Sequence, residues 1–197
     1  MIQPPLDRHS LRKTLRHARR LLTEQEQQQA ASQLLKQALH SEWLNNVEHL
    51  ALYLANDGEI SPHLISEYCW QRNIKTYLPV VKGETLRFAH YDQTTQWQKN
   101  RFGIAEPVTE IYQAQDALDI VFMPLVGFDQ YGGRLGMGGG FYDKSFASKS
   151  IEQKPLLIGL AHDCQQVERL PIEPWDVPLQ AILSPNQCID INLTIKD

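Results

Sequence analysis

The run LDIVFMPLVGFD, residues 118–129, is the most apolar stretch of the chain, and it leads directly into a cluster of glycines. A short segment without polar alternation reads as a strand buried on both faces, the habit of a parallel sheet covered by helices. HLALYLA (49–55), IKTYLPVV (74–81), LRFAHY (86–91), PLLIGLAH (155–162) and QAILSP (180–185) read as further strands, and FGIAEP (102–107) as a loop. Helices are expected between them. Asp7 can cap one from Arg8 to Leu22, whose Leu11, Leu15, Ala18 and Leu22 form a single apolar stripe. Thr23 and Glu26 form a capping box for a second, running to about His40 with Ala31, Leu34, Leu35 and Ala38 inward. Two more are expected, from about Pro62 to Arg72 and from about Phe141 to Ser150. Strands alternating with helices predict an α/β fold with a mostly parallel sheet. The 197 residues show neither repeat nor linker, so a single domain over 1–197 is expected.

The formal net charge of -4 argues against nucleic acid as the main partner. No apolar run approaches the roughly 20 residues of a membrane helix, and MIQPPLDRHSLRK has no signal-like apolar core. Cys69, Cys164 and Cys188 are scattered and odd in number, which favours reduced thiols over a disulfide frame or a zinc site. The expectation is a cytoplasmic protein acting as a monomer, without nucleic acid or membrane partners.

GGRLGMGGGFYDK, residues 132–144, holds six of the chain's eleven glycines. It follows the apolar strand and precedes a helix, where parallel sheets place their ligands. Bare backbone lets amides converge on an anion, and the helix start adds positive potential. Arg134 offers a fork to phosphate oxygens, and Asp143 suits a divalent metal bridging them. The physical reading is a nucleotide or polyphosphate site, against the plainer one of a flexible surface turn. GxxxxGK[ST] is absent, and GxGxxG fails at Phe141, so neither a P-loop nor a dinucleotide fingerprint is present. Arg8, Arg12 and Arg16 recur every fourth residue, joined by Lys13, Arg19 and Arg20, with no acid between Arg8 and Leu22. This is either a solvated face or a set of cations reaching the same phosphates. Glu59, just past the first strand, could accept paired N–H donors from a flat heterocycle, or be a turn acid. Asp176, between prolines in EPWDVP, could likewise be a simple turn residue.

PLVGFDQYGGRLGMGGGFYDK closely resembles the signature of the 5-formyltetrahydrofolate cyclo-ligases, also called methenyltetrahydrofolate synthetases. Pro124, Phe128, Asp129, Arg134, Leu135, Gly136, Gly138, Gly140, Phe141, Tyr142, Asp143 and Lys144 carry the match. EISP at Glu59, FGIAEP and EPWDVPLQAILSP are similar to further segments of that family, with Trp175 standing where histidine is common and Arg8 where lysine is usual. The resemblance implies a three-layer α/β sandwich related to sugar-phosphate isomerases and CoA-transferases. It also implies an ATP- and Mg2+-dependent ring closure of 5-formyltetrahydrofolate, polyglutamylated or not, to 5,10-methenyltetrahydrofolate. Arg8, Arg12 and the segment Arg134, Leu135, Gly136, Met137, Gly138, Gly139, Gly140, Phe141 and Tyr142 would then bind ATP. Arg134 and Tyr142 would be catalytic. Leu54, Glu59 and the loop Met137 to Phe141 would bind the folate, with Phe102 stacking on it, and Asp143 and Asp176 would hold Mg2+. The alternatives are an isomerase or CoA-transferase activity on a related fold, or a folate- or nucleotide-binding module without turnover.

Overall fold

The computed structural model describes residues 7–99, 105–150 and 152–191. Helix α1 (Arg8–Arg20) starts where the Asp7 carboxylate accepts the amides of His9 and Ser10 at 2.8 and 3.0 Å. Helix α2 (Glu24–His40) starts at the capping box of Thr23 and Glu26 and buries Ala30, Ala31, Leu34 and Ala38. The chain continues through β1 (His49–Ala51), α3 (His63–Gln71), β2 (Lys75–Lys82), β3 (Thr85–Tyr91) and β4 (Trp97–Lys99). Then come β5 (Ala105–Pro107), β6 (Tyr112–Gln113), β7 (Ile120–Pro124), β8 (Gly127–Phe128) and β9 (Arg134–Leu135). Helix α4 (Phe141–Phe146), β10 (Leu156–Leu160), β11 (Ala181–Leu183) and β12 (Cys188–Asp190) complete it.

The main sheet runs β12-β11-β10-β7-β1-β2-β3-β6. Its central strands β11, β10, β7, β1 and β2 are parallel, and antiparallel β12, β3 and β6 extend the edges. Counted in chain order, the parallel strands lie 2-1-3-4-5, so the winding reverses between β1 and β7. A crevice for ligands opens beyond the carboxyl ends of strands at such a reversal.

Side chains alternate across the sheet. Leu50, Leu52, Ile120 and Phe122 pack under α2 and α3. Ala51, Val121 and Met123 point the other way, toward Phe146 of α4 and the later Val177 and Leu179. A third cluster joins Leu11 and Leu15 of α1 to Val126, Leu135 and Leu170.

Several elements are shorter than the sequence suggests. β1 stops at Ala51 because the chain peels into the loop that Tyr53 closes by donating its hydroxyl hydrogen bond to the Ile60 carbonyl at 2.7 Å. The run 118–129 divides, since after Pro124 the chain leaves the sheet and β8 pairs with β9. Helix α4 ends at Phe146, not Ser150. Of FGIAEP, Ala105–Pro107 form a strand on β4 instead of a loop, while residues 102–104, including Phe102, lie outside the described residues.

The basic face of α1 is only partly solvated. Asp57, in the loop after β1, accepts Arg16 Nε at 2.7 Å, Arg19 Nη2 at 2.9 Å and a close contact from Arg20. Arg19 is fully buried and also donates to the carbonyls of Asp57 at 2.8 Å and Leu125 at 3.1 Å. Burial alone would raise the Asp57 carboxyl, but the hydrogen bonds from Arg16, Arg20 and Arg19 outweigh it and hold it far below the usual range. Asp57→Ala takes from a buried guanidinium its nearest carboxylate, and urea unfolding at pH 7 should show a loss of about 3–5 kcal/mol. A carboxyl depressed in the folded state stabilises above its ordinary value near ~3.9 and ceases to as pH falls below it. The gap between wild type and variant should therefore narrow below that pH, and a constant gap would assign the loss to packing alone.

Candidate active site

The glycine segment is built around a buried carboxylate. Asp129 accepts the amides of Tyr131 at 2.9 Å, Gly133 at 2.8 Å and Leu170 at 2.9 Å. A Cβ on Gly133 would collide with that carboxylate, so glycine is required there. Beyond β9, Gly138 and Gly140 take left-handed φ values of 97° and 67°, which side chains disfavour. Gly140 then opens α4, whose first turn no side chain caps.

A cleft of about 340 Å³ lies along this segment, bounded by α1 on one side and the 173–176 turn on the other. Arg12 Nε donates to the Gly136 carbonyl at 2.8 Å, and its guanidinium lies 3.5 Å from where a Cβ of Gly138 would stand. Arg8 grips Asp176 bidentately at 2.6 and 3.0 Å, and the same carboxylate accepts the Glu173 amide at 2.9 Å. Burial raises the Asp176 carboxyl, and Arg8 more than offsets this, leaving it below the usual range. Arg134, almost wholly buried, pairs closely with Asp143 and donates from Nε to the Val177 carbonyl at 2.9 Å, while Asp143 accepts the Val177 amide at 3.0 Å. Arg12 alone of these arginines has no carboxylate partner among the described residues.

A second pocket of about 200 Å³ adjoins the first. Tyr53, Leu54 and Glu59 from the loop after β1 face Leu78, Pro79 and Val81 of β2, and Pro124 and Tyr142 line both cavities. The pair therefore sits at the carboxyl ends of β1, β2 and β7, around the winding reversal. Glu59 accepts the Asn56 amide at 3.1 Å and lies 3.5 Å from Arg19 Nη2. Its burial dominates and raises its pKa. Burial, followed by the nearby Glu59, raises the Tyr142 phenol well above its ordinary value, so this phenol is a hydrogen-bond donor at neutral pH.

Among the described residues no group of three or more His, Cys, Asp or Glu side chains is disposed to hold a metal. Asp143 and Asp176 do line one cleft, and Mg2+ in nucleotide sites commonly takes one or two carboxylates plus phosphate oxygens and water. The donor set fits Mg2+ arriving with a polyphosphate.

The structure brings together Arg8, Arg12, Arg134, Gly136 through Tyr142, Asp143 and Asp176 in the first cleft, and Leu54 and Glu59 in the second. Leu135 stands apart. Its side chain is buried against Leu11 and Leu15 and lines neither cavity, so hydrophobic packing accounts for it. Tyr53 and Asp57 carry no site expectation from the sequence, and Pro124 enters there only as part of the family signature. For Asp57 a signal exists: a helix with many arginines and no acid needs a carboxylate from elsewhere, and Asp57 stands two residues before Glu59.

A glycine and arginine cleft and a glutamate pocket thus lie side by side at the winding reversal of an α/β fold. A model of the 5-formyltetrahydrofolate cyclo-ligase family matches residues 6–185, and the chain belongs to that family. It is 41% identical over 182 residues to the 5-formyltetrahydrofolate cyclo-ligase of Haemophilus influenzae, covering 89% of this chain and 96% of that one. Identity to the Escherichia coli K12 enzyme of the same name is 36% over 179 residues, covering 88% and 97%. The solved 5,10-methenyltetrahydrofolate synthetase of Aquifex aeolicus superposes with a TM-score of 0.81 at 26% identity, covering 93% and 92% of the two chains.

The raised Glu59 carboxyl carries a stability consequence. A carboxyl whose pKa is raised on folding weakens the folded state once it ionises. Glu59→Gln should thus raise the unfolding midpoint at pH 8, with the gain fading below pH 4 where both side chains are neutral. A lower midpoint at pH 8 would mean that its contact with Arg19 outweighs its desolvation.

Proposed function

We propose that this chain catalyses the ATP- and Mg2+-dependent cyclisation of 5-formyltetrahydrofolate to 5,10-methenyltetrahydrofolate, releasing ADP and phosphate. The observation that carries this reading is that the two cavities share Pro124 and Tyr142. A triphosphate along the glycine segment and a pterin beside Glu59 would meet there.

The formyl oxygen, nucleophilic through amide resonance, takes the γ-phosphoryl group from ATP, and ADP departs. N10 then attacks the activated carbon, loses its proton, and expels the former formyl oxygen within phosphate. Phosphoryl transfer depends on alignment and charge neutralisation more than on acid–base pairs. Arg12 supplies a cation uncommitted to any carboxylate, and the glycine segment supplies amides. On nucleotide binding, Arg8 and Arg134 exchange Asp176 and Asp143 for phosphate oxygens, which leaves both carboxylates for Mg2+. When bound, Mg2+ neutralises and orients the phosphates. Glu59 accepts the N–H edge of the pterin above Leu54, and the Tyr142 phenol donates where the substrates join. In this proposal the chain works as one cytoplasmic monomeric domain over 1–197, accepts polyglutamylated folate, and shares the three-layer plan of the sugar-phosphate isomerases and CoA-transferases that the family resemblance implies.

Mixing purified protein with 5-formyltetrahydrofolate, ATP and Mg2+ should raise absorbance in the methenyl band only when all three are present, and a chelator should abolish the rise. Absence of any rise, with ATP and folate each binding in separate titrations, would replace the enzyme by a binding module. Arg12→Ala should lower kcat/KM for ATP by roughly 10- to 100-fold, the worth of a charge-assisted contact. Arg12→Lys should recover part of it, because charge returns without the fork.

A further inference from the structure

Trp175 is the most exposed large hydrophobic side chain at the first cleft. It is 67% exposed, yet it lines the phosphate cleft. Phe141 and Tyr142, the other aromatic residues of that cleft, pack against the hydrophobic cluster beneath the sheet, whereas Trp175 packs against none of the clusters.

The indole is not exposed by looseness. Its turn is closed twice, by the Asp176 amide donating to the Glu173 carbonyl at 3.0 Å and by the Asp176 carboxylate accepting the Glu173 amide at 2.9 Å. Pro174 precedes it with a fixed φ, and Arg8 anchors the turn through Asp176 and through the Pro171 carbonyl at 3.3 Å. A rigid turn thus holds a large apolar ring in water, an arrangement that gains free energy only when something flat covers the ring. Met137, 52% exposed, is the corresponding apolar residue on the glycine segment. The space of about 340 Å³ that they share has the size of a small-molecule cleft and not of a protein-docking face.

Polarity along the cleft selects the ligand part. The phosphoryl group in transfer must lie at the end shared with the folate pocket, by Pro124 and Tyr142. Trp175 lines the first cleft and not the second, and its ring, unlike Arg8 and Asp176 beside it, offers no charge to a phosphate or a metal, so the flat base is the part of the nucleotide that suits it. From this placement, and resting on the ATP reading above, we infer that Trp175 is the stacking platform for the purine ring of the nucleotide, and so the residue by which this chain distinguishes a nucleoside triphosphate from bare polyphosphate.

Calorimetric titration with Mg2+–ATP and with Mg2+–tripolyphosphate tests this in wild type, Trp175→Ala and Trp175→Phe. Since stacking contributes measurably per base, Trp175→Ala should weaken ATP by about tenfold to a hundredfold and leave tripolyphosphate unchanged, while Trp175→Phe keeps most of the ATP affinity. ATP should also quench tryptophan emission in wild type, and that quench should vanish in Trp175→Phe. Unchanged ATP affinity in Trp175→Ala overturns the inference. So does an equal loss for tripolyphosphate, which would make the residue a support for the loop. Neither titration needs folate turnover, so a protein that binds ATP through Trp175 without cyclising folate would sink the proposed reaction and leave this inference standing.

Discussion

One carboxylate, Asp57, receives guanidinium groups from Arg16, Arg19 and Arg20, and the architecture of the site hangs on that knot. Arg19 has no access to water and spends its remaining donors on the backbone of Asp57 and Leu125, the loops that leave β1 and β7. Those strands flank the winding reversal, so the knot ties together the two loops that border the crevice. Earlier on the same 13-residue helix, Arg8 reaches the turn before β11 and Arg12 reaches the glycine segment. A helix repeating arginine every fourth residue presents them along one face, one turn apart. A single element thereby touches each loop that forms the site. Buried ion pairs seldom add much net stability, because desolvation offsets their attraction. Their contribution here is geometric, since Arg19 has no other way to satisfy its charge than with these loops in place.

The two cavities differ in electrostatic character. The first cleft pairs Arg8 with Asp176 and Arg134 with Asp143, which leaves it nearly neutral. The second pocket holds Glu59 where burial disfavours its charge, with the Tyr142 phenol between the two. A desolvated acceptor is costly to the empty protein and rewards a ligand that brings N–H donors, the usual exchange of stability for function at a binding site.

Much of this was legible in the sequence. Local signals were the most faithful: the Asp7 cap, the Thr23–Glu26 box and the alternation of strands with helices all appear in the structure. The glycine segment, expected from its composition to face a ligand, lines the first cleft, and the residues the family resemblance picked out, Arg8, Arg12, Glu59, Asp143 and Asp176, line the two pockets. What escaped depends on contacts distant along the chain. Strands β6 and β12 are short and carry polar residues, and only their partners define them. For Arg16, Arg19 and Arg20 the sequence offers a solvated face or a set of phosphate-binding cations, and neither anticipates Asp57, about 40 positions on, which leaves no periodic trace. Leu135 shares a motif with residues that line the first cleft, while its own side chain packs against α1.

Direct phosphoryl transfer at the junction of the two pockets is tested most sharply by following the formyl oxygen itself. With a heavy-oxygen label in the formyl group of 5-formyltetrahydrofolate, a single turnover with unlabelled ATP should place the label in inorganic phosphate, one labelled oxygen for each methenyl product. Label recovered in water, with phosphate unlabelled, would contradict that route. ATP would then be hydrolysed apart from the folate, and the shared wall at Pro124 and Tyr142 would have a purpose other than transfer.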